Sequence, residues 1–160
     1  MPSTACGVIM LVGIAICSPI GAASTLLGTT VSTLTAIALG ASPAEVYYGL
    51  WGFSAVLSAI AVGGMFFVLD SFSALLYTVF ASYFSAVIHG AVKSFMAPFG
   101  LPGFTFPFNC VAWVFCLAGG SMANIRPVPI SDLATPEEHI NRVRLERYIT
   151  SLFKNIMPIK

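Results

Sequence analysis

Charge is nearly missing from most of this sequence. From Met1 to Ile125 the only charged side chains are Glu45, Asp70 and Lys93, with His89 the one histidine. Over the whole chain charged residues make up 8%, against about 25% for an ordinary soluble domain. That scarcity excludes a water-solvated globular surface and leaves no basic stripe for nucleic acid. Paired cysteine spacing is missing as well. Cys6, Cys17, Cys110 and Cys116 are scattered through apolar runs, so they read as small packing residues and not as a zinc site. Two histidines and four scattered cysteines offer no ligand cluster for metal or haem, and the reading is cofactor-free. No Asn-x-Ser/Thr acceptor occurs, and no basic stretch precedes the first apolar run. An intramembrane serine protease would want Gly-x-Ser-Gly. Gly52-Phe53-Ser54-Ala55 lacks the second glycine, so the reading is also non-enzymatic.

What is present is hydrophobicity, 58% of residues with a mean hydropathy of +0.93, followed by a charged tail. Arg126 to Lys160 holds six Lys/Arg and four Asp/Glu. The expected fold class is an all-α membrane protein: a membrane region over 1–125 and a short helical tail over 126–160. The basic excess places that tail in the cytoplasm.

A spanning helix needs about 20 apolar residues. Cys6–Cys17 is short by that measure and stops at Ser18-Pro19. Ile20–Leu39 is rich in Gly, Ala, Ser and Thr, the composition that lets helices approach closely in lipid. Ser42-Pro43 with Glu45 reads as a capping box. The helix it opens runs through Trp51, Phe53 and Leu57 to near Val68, interrupted by Gly49, Gly52, Gly63 and Gly64. Asp70-Ser71 caps Phe72 to about Met96, where His89 and Lys93 share a face at the membrane boundary. The last span runs from about Phe108 to Met122. Thr135-Pro136-Glu137-Glu138 opens a charged helix to about Ile156. The total is about five spans, several of them short or broken. An odd count with a cytoplasmic tail puts Met1 outside the cytoplasm, so the sequence is expected to lack an N-terminal portion.

Between the last two runs lies Leu101-Pro102-Gly103-Phe104-Thr105-Phe106-Pro107-Phe108, the most informative stretch of the chain. It carries two prolines and a glycine at membrane depth, and one hydroxyl among three phenylalanines. Non-helical backbone in a membrane is tolerated where protein buries it or where it lines a cavity. Taken alone, Thr105 is either a cap or a cavity residue, and Phe53 with Leu57 at helical spacing reads as packing. Glu45 alone reads as a helix cap.

These residues fall in blocks that resemble the urea transporters. Tyr47-Tyr48-Gly49-Leu50-Trp51-Gly52-Phe53, then Leu57, then Ala61-Val62-Gly63-Gly64-Met65-Phe66 is similar to a signature block of that family. Leu101-Pro102, Thr105 and Pro107-Phe108 resemble its Leu-Pro-x-x-Thr-x-Pro-Phe element. Val128-Pro129-Ile130-Ser131 through Thr135-Pro136-Glu137-Glu138 is similar to the segment after the last span in vertebrate members. The order and spacing of the blocks match as well, over roughly Cys6 to Arg147.

The resemblance implies a passive channel for urea and small amides in the plasma membrane, built as a homotrimer with one pore per protomer. Each protomer has two halves of opposite orientation, and this chain resembles the second. On that implication Phe53, Leu57 and Thr105 line the pore, while Glu45, Trp51 and Phe106 support it. The missing first half is needed to complete a pore. The alternative is a non-transporting membrane protein that acts only by joining full-length channel protomers. The family also carries a re-entrant stretch with a Gln or Glu just before the position of Cys6, which has no counterpart here. Ser54 stands where the family usually has Asn, and Phe106 where it usually has Trp.

Overall fold

The computed structural model of the protein describes residues 4–156. The extreme ends of the two expected regions, 1–3 and 157–160, lie outside the described residues. The chain runs α1 (Thr4–Cys17), α2 (Pro19–Ala38), α3 (Pro43–Tyr47), α4 (Gly52–Ile60, continued by a π-turn over Ala61–Met65), α5 (Phe72–Met96), α6 (Phe106–Gly119) and α7 (Pro136–Ile156). Short 3₁₀ turns stand at Ala97–Phe99 and Ile130–Asp132. Among the described residues no strand forms; Phe67 and Pro127 make one isolated antiparallel bridge.

The bundle is turned inside out relative to a water-soluble one. Its interior is small and polar. α2 buries Gly21, Ser24, Gly28, Ser32 and Thr35, and α4 buries Ser54, Ala55, Ser58 and Ala59. α5 buries Ala74, Thr78, Ala81, Ser82, Ser85 and Ala86. These repeats at three and four residues put a small-residue stripe on each of the three helices, and the stripes meet. The large apolar side chains point outward: Ile16 is 82% exposed, Leu117 81% and Trp113 74%. A soluble core would bury such residues first. A lipid solvent has no reason to, because its tails are as apolar as they are. An apolar cluster of Val62, Phe67, Ala81, Val111, Phe115 and Ile125 closes one side of the bundle.

Hydroxyls inside the bundle are mostly satisfied by their own helices. Thr25, Thr35, Ser58, Thr78 and Ser82 each donate to the carbonyl four residues back at 2.8–2.9 Å. A polar residue can therefore be buried in this bundle without a partner on another helix.

α2 and α5 are long and apolar enough to cross a membrane, whereas α1, α4 with its π-turn, and α6 are shorter apolar helices. A 14-residue helix such as α1 is about 21 Å long, against about 30 Å of hydrocarbon. The expectation of short and broken helices is met. The expected helix from Ser42 to Val68 is corrected: Tyr48–Trp51 form a turn, and the π-turn holds Gly63 and Gly64 in non-helical conformations. α6 also begins two residues earlier than expected, because Pro107 sits in its first turn, where no amide hydrogen is required.

The tail packs on the bundle. Val68 N–H donates to Arg126 C=O at 3.0 Å, and Val128 N–H to Phe66 C=O at 2.8 Å. Asp70 receives Arg147 at 2.6 Å and faces Arg126 at 3.7 Å.

The α2–α4 contact sets the tightest steric test. A Cβ on Gly28 would lie 2.9 Å from the Ala55 carbonyl oxygen and 2.9 Å from the Ala59 Cβ. Neither atom can move without moving α4. Gly28→Val is expected to destabilise the bundle by about 1–3 kcal/mol. A thermal unfolding midpoint unchanged from wild type in the same detergent would refute this packing.

Candidate functional site

The broken segment before α6 is built from successive turns. Gly100 is left-handed at φ 64°, and Phe104 is left-handed at φ 43°. A phenylalanine in that region is strained, and such outliers gather at functional sites. Phe106 N–H donates to Gly103 C=O at 3.1 Å, and Asn109 N–H to Thr105 C=O at 3.0 Å. Thr105 thus occupies the cap position of α6, but its side chain makes no capping hydrogen bond. Its hydroxyl is exposed and has no partner among the described residues. Pro107 beside it is buried and fixes the start of the helix.

Phe53 and Leu57 lie one turn apart on α4. Phe53 is 53% exposed and Leu57 half-buried. α4 packs against α6, so the two stretches belong to neighbouring elements. Phe106 is exposed at the start of α6. Ser54, next to Phe53, points the other way: it is fully buried, and its hydroxyl has no partner. The same is true of Ser85 on α5.

Glu45 and Trp51 form a separate support. Trp51 is 6% exposed, and its indole N–H donates to the Glu45 carboxylate at 3.1 Å. Lys93 pairs with the same carboxylate. The Trp51 ring stands 5.4 Å from that of His89, whose Nδ1 is buried without a partner. Ser42 accepts the Glu45 N–H at a long 3.4 Å, so half of the capping box forms. The reciprocal half does not, because the Glu45 carboxylate turns to Lys93 and Trp51. This corrects the sequence reading: the acid joins α3, the turn before α4 and the end of α5.

A concavity of about 500 Å³ lies elsewhere. Leu76, Tyr77 and Phe80 of α5 and Met122–Ile125 line it. It is open and apolar, and it includes none of Glu45, Trp51, Phe53, Leu57, Thr105 and Phe106.

The sequence did not single out Glu137 and His139 for any contact. Glu137 accepts Ile20 N–H at 2.8 Å and the Ser18 hydroxyl at 2.9 Å. His139, 3% exposed, faces the Gly64 carbonyl at 2.8 Å. Their partners are far away in sequence, and only the capping pattern of Thr135-Pro136 marked the spot.

The Lys93 ammonium, then the Trp51 indole, holds the Glu45 carboxyl below the usual glutamate range. The anion is thus favoured in the folded cluster, so the cluster is complete above the usual glutamate titration and is lost as pH falls through the lowered value. Trp51 emission is expected to shift only at that lower pH, and Glu45→Gln is expected to abolish the shift. A shift that survives in Glu45→Gln would assign it to another group.

The profile of the urea transporter family matches residues 1–120. The chain is 33% identical over 133 residues to urea transporter 1 of Ovis aries, covering 83% of this chain and 34% of that protein. It is 32% identical over 136 residues to urea transporter 1 of Mus musculus, again covering 83% and 34%. The chain thus spans about a third of the length of the curated relatives it matches. The blocks around Phe53 and Thr105 fall inside the matched region, and on that match this chain belongs to the urea transporter family.

Proposed function

We propose that the chain forms one wall of a passive urea pore. The observation that carries this reading is the unengaged Thr105 hydroxyl at a helix break inside the region matched by the urea transporter family. Urea is flat, neutral and strongly hydrated. A pore must replace its water with fixed donors and acceptors and sort it by shape. Phe53 and Leu57 supply apolar faces for the flat molecule, and Thr105 both donates and accepts. Glu45 and Trp51 fix the start of α4, and Phe106 fixes the aromatic rim beside Thr105. No charge has to cross, so no gradient has to be coupled.

The other wall comes from a half of opposite orientation, as in inverted-repeat transporters. In this reading residues 1–125 are the membrane half and 126–160 lie in the cytoplasm. The assembly is a trimer in the plasma membrane, and related small amides compete with urea. The residues here resemble the second half of a protomer, so flux requires the complementary half.

The test is urea uptake into oocytes expressing the chain with and without a first half, with surface labelling as control. Co-expression is expected to give saturable uptake. Thr105→Val is expected to lower it roughly tenfold, the rate equivalent of about 1–1.5 kcal/mol for one lost hydrogen bond. Uptake unaffected by Thr105→Val would remove Thr105 from the pore. Surface expression with no uptake under co-expression would favour a chain that acts only by joining full-length protomers.

A further inference from the structure

We infer that the first turn of α7 is a latch that positions α4, with Glu137 and His139 as its two positioning residues. The inference rests on the reading of α4 as a pore wall.

The latch closes on two backbone breaks. The first separates α1 from α2. Ser18 caps α2 by accepting Gly21 N–H at 2.8 Å, and its own hydroxyl donates to Glu137. Glu137 also accepts Ile20 N–H, so the carboxylate sits at the N-terminus of α2, where backbone donors are free and the dipole favours an anion. Burial works against that charge, yet the Ile20 N–H and the Ser18 hydroxyl hold the Glu137 carboxyl below its usual range.

The second break ends α4. Gly64 has φ 148°, and a Cβ there would lie 2.6 Å from Pro136. Only glycine admits both that conformation and the approach of the tail. The turn strands the Gly64 carbonyl, and His139 Nδ1 meets it at 2.8 Å. Ala134 N–H donates to Nε2 at 3.0 Å. Because Nε2 accepts, Nδ1 carries the proton and donates to Gly64. Both nitrogens of a buried ring are used, and the bond to Gly64 is not available to an undocked tail.

These bonds tie the start of α2 to the end of α4 through one turn of α7. Ser24 of α2 adds a contact to the Gly63 carbonyl at 3.4 Å. Leu57 lies two turns before Gly64 on the same short helix. A close-packed bundle passes a shift of that end to the α4 face.

The experiment compares His139→Ala and Glu137→Ala with His139→Asn and Glu137→Gln in the full chain in nanodiscs. Asparagine keeps a donor for Gly64, and glutamine keeps an acceptor for Ile20. Amide hydrogen exchange is read at 63–66 and, as control, at 81–86. Each alanine variant is expected to exchange about tenfold faster at 63–66 with the control unchanged, and the conservative variants are expected to return near wild type. Should His139→Ala fail to insert, the Glu137 pair carries the comparison. Unchanged exchange at 63–66 in the alanine variants overturns the latch. The same variants are then assayed for urea flux with the complementary half. A shifted half-saturation supports the positioning role. Faster exchange with unchanged half-saturation overturns it. Absence of flux in wild type counts against α4 as a pore wall, and the exchange comparison still decides the latch.

Discussion

A backbone group without water must find its hydrogen bond inside the protein, and this requirement shapes the interruptions in the chain. Three of the breaks fall at Ser18, at Gly63–Gly64 and between Gly100 and Thr105. At the first, a serine and a distant carboxylate take up the free amides. At the second, a histidine takes up the free carbonyl. At the third, local turns take up the Gly100 and Phe106 N–H groups, and the Thr105 side chain makes no capping bond. The family match covers these three breaks, and of the three the last is the one with a hydroxyl that makes no capping bond.

The same constraint explains the packing. Helices in lipid gain little by hiding large apolar groups, so the interior goes to residues that allow close approach. α2, α4 and α5 meet through Gly, Ala, Ser and Thr, and most of the hydroxyls among them bond back along their own helix. Ser54 and Ser85 do not, and they remain buried without partners. Ser54 is also where the sequence departs from the family's usual Asn.

Much of this was legible in the residues because it is local. The apolar runs set α1, α2 and α5 to within a residue or two, and Ser42 and Ser71 cap helices where their sequence contexts placed them. The octapeptide announced its broken backbone through its prolines. What failed was long-range. Glu45 satisfied the spacing of a capping box, yet Lys93, 48 residues away, draws its carboxylate off. Glu137 and His139 looked like ordinary members of a charged helix because their partners lie 117 and 75 residues off. Spacing rules describe neighbours on one element. A side chain that can reach two elements goes to the stronger partner.

The separation between Ser18 and Glu137 also bears on the order in which the molecule is made. Ser18 precedes the carboxylate it bonds by 119 residues, which at ordinary synthesis rates is a delay of about 6–24 s. During that interval Ser18 already caps Gly21, but the Ile20 amide has not yet met its carboxylate. Insertion and closure are therefore separate events in the life of the chain. Closure of the break at Ser18 waits until the tail is synthesised and folds back onto it.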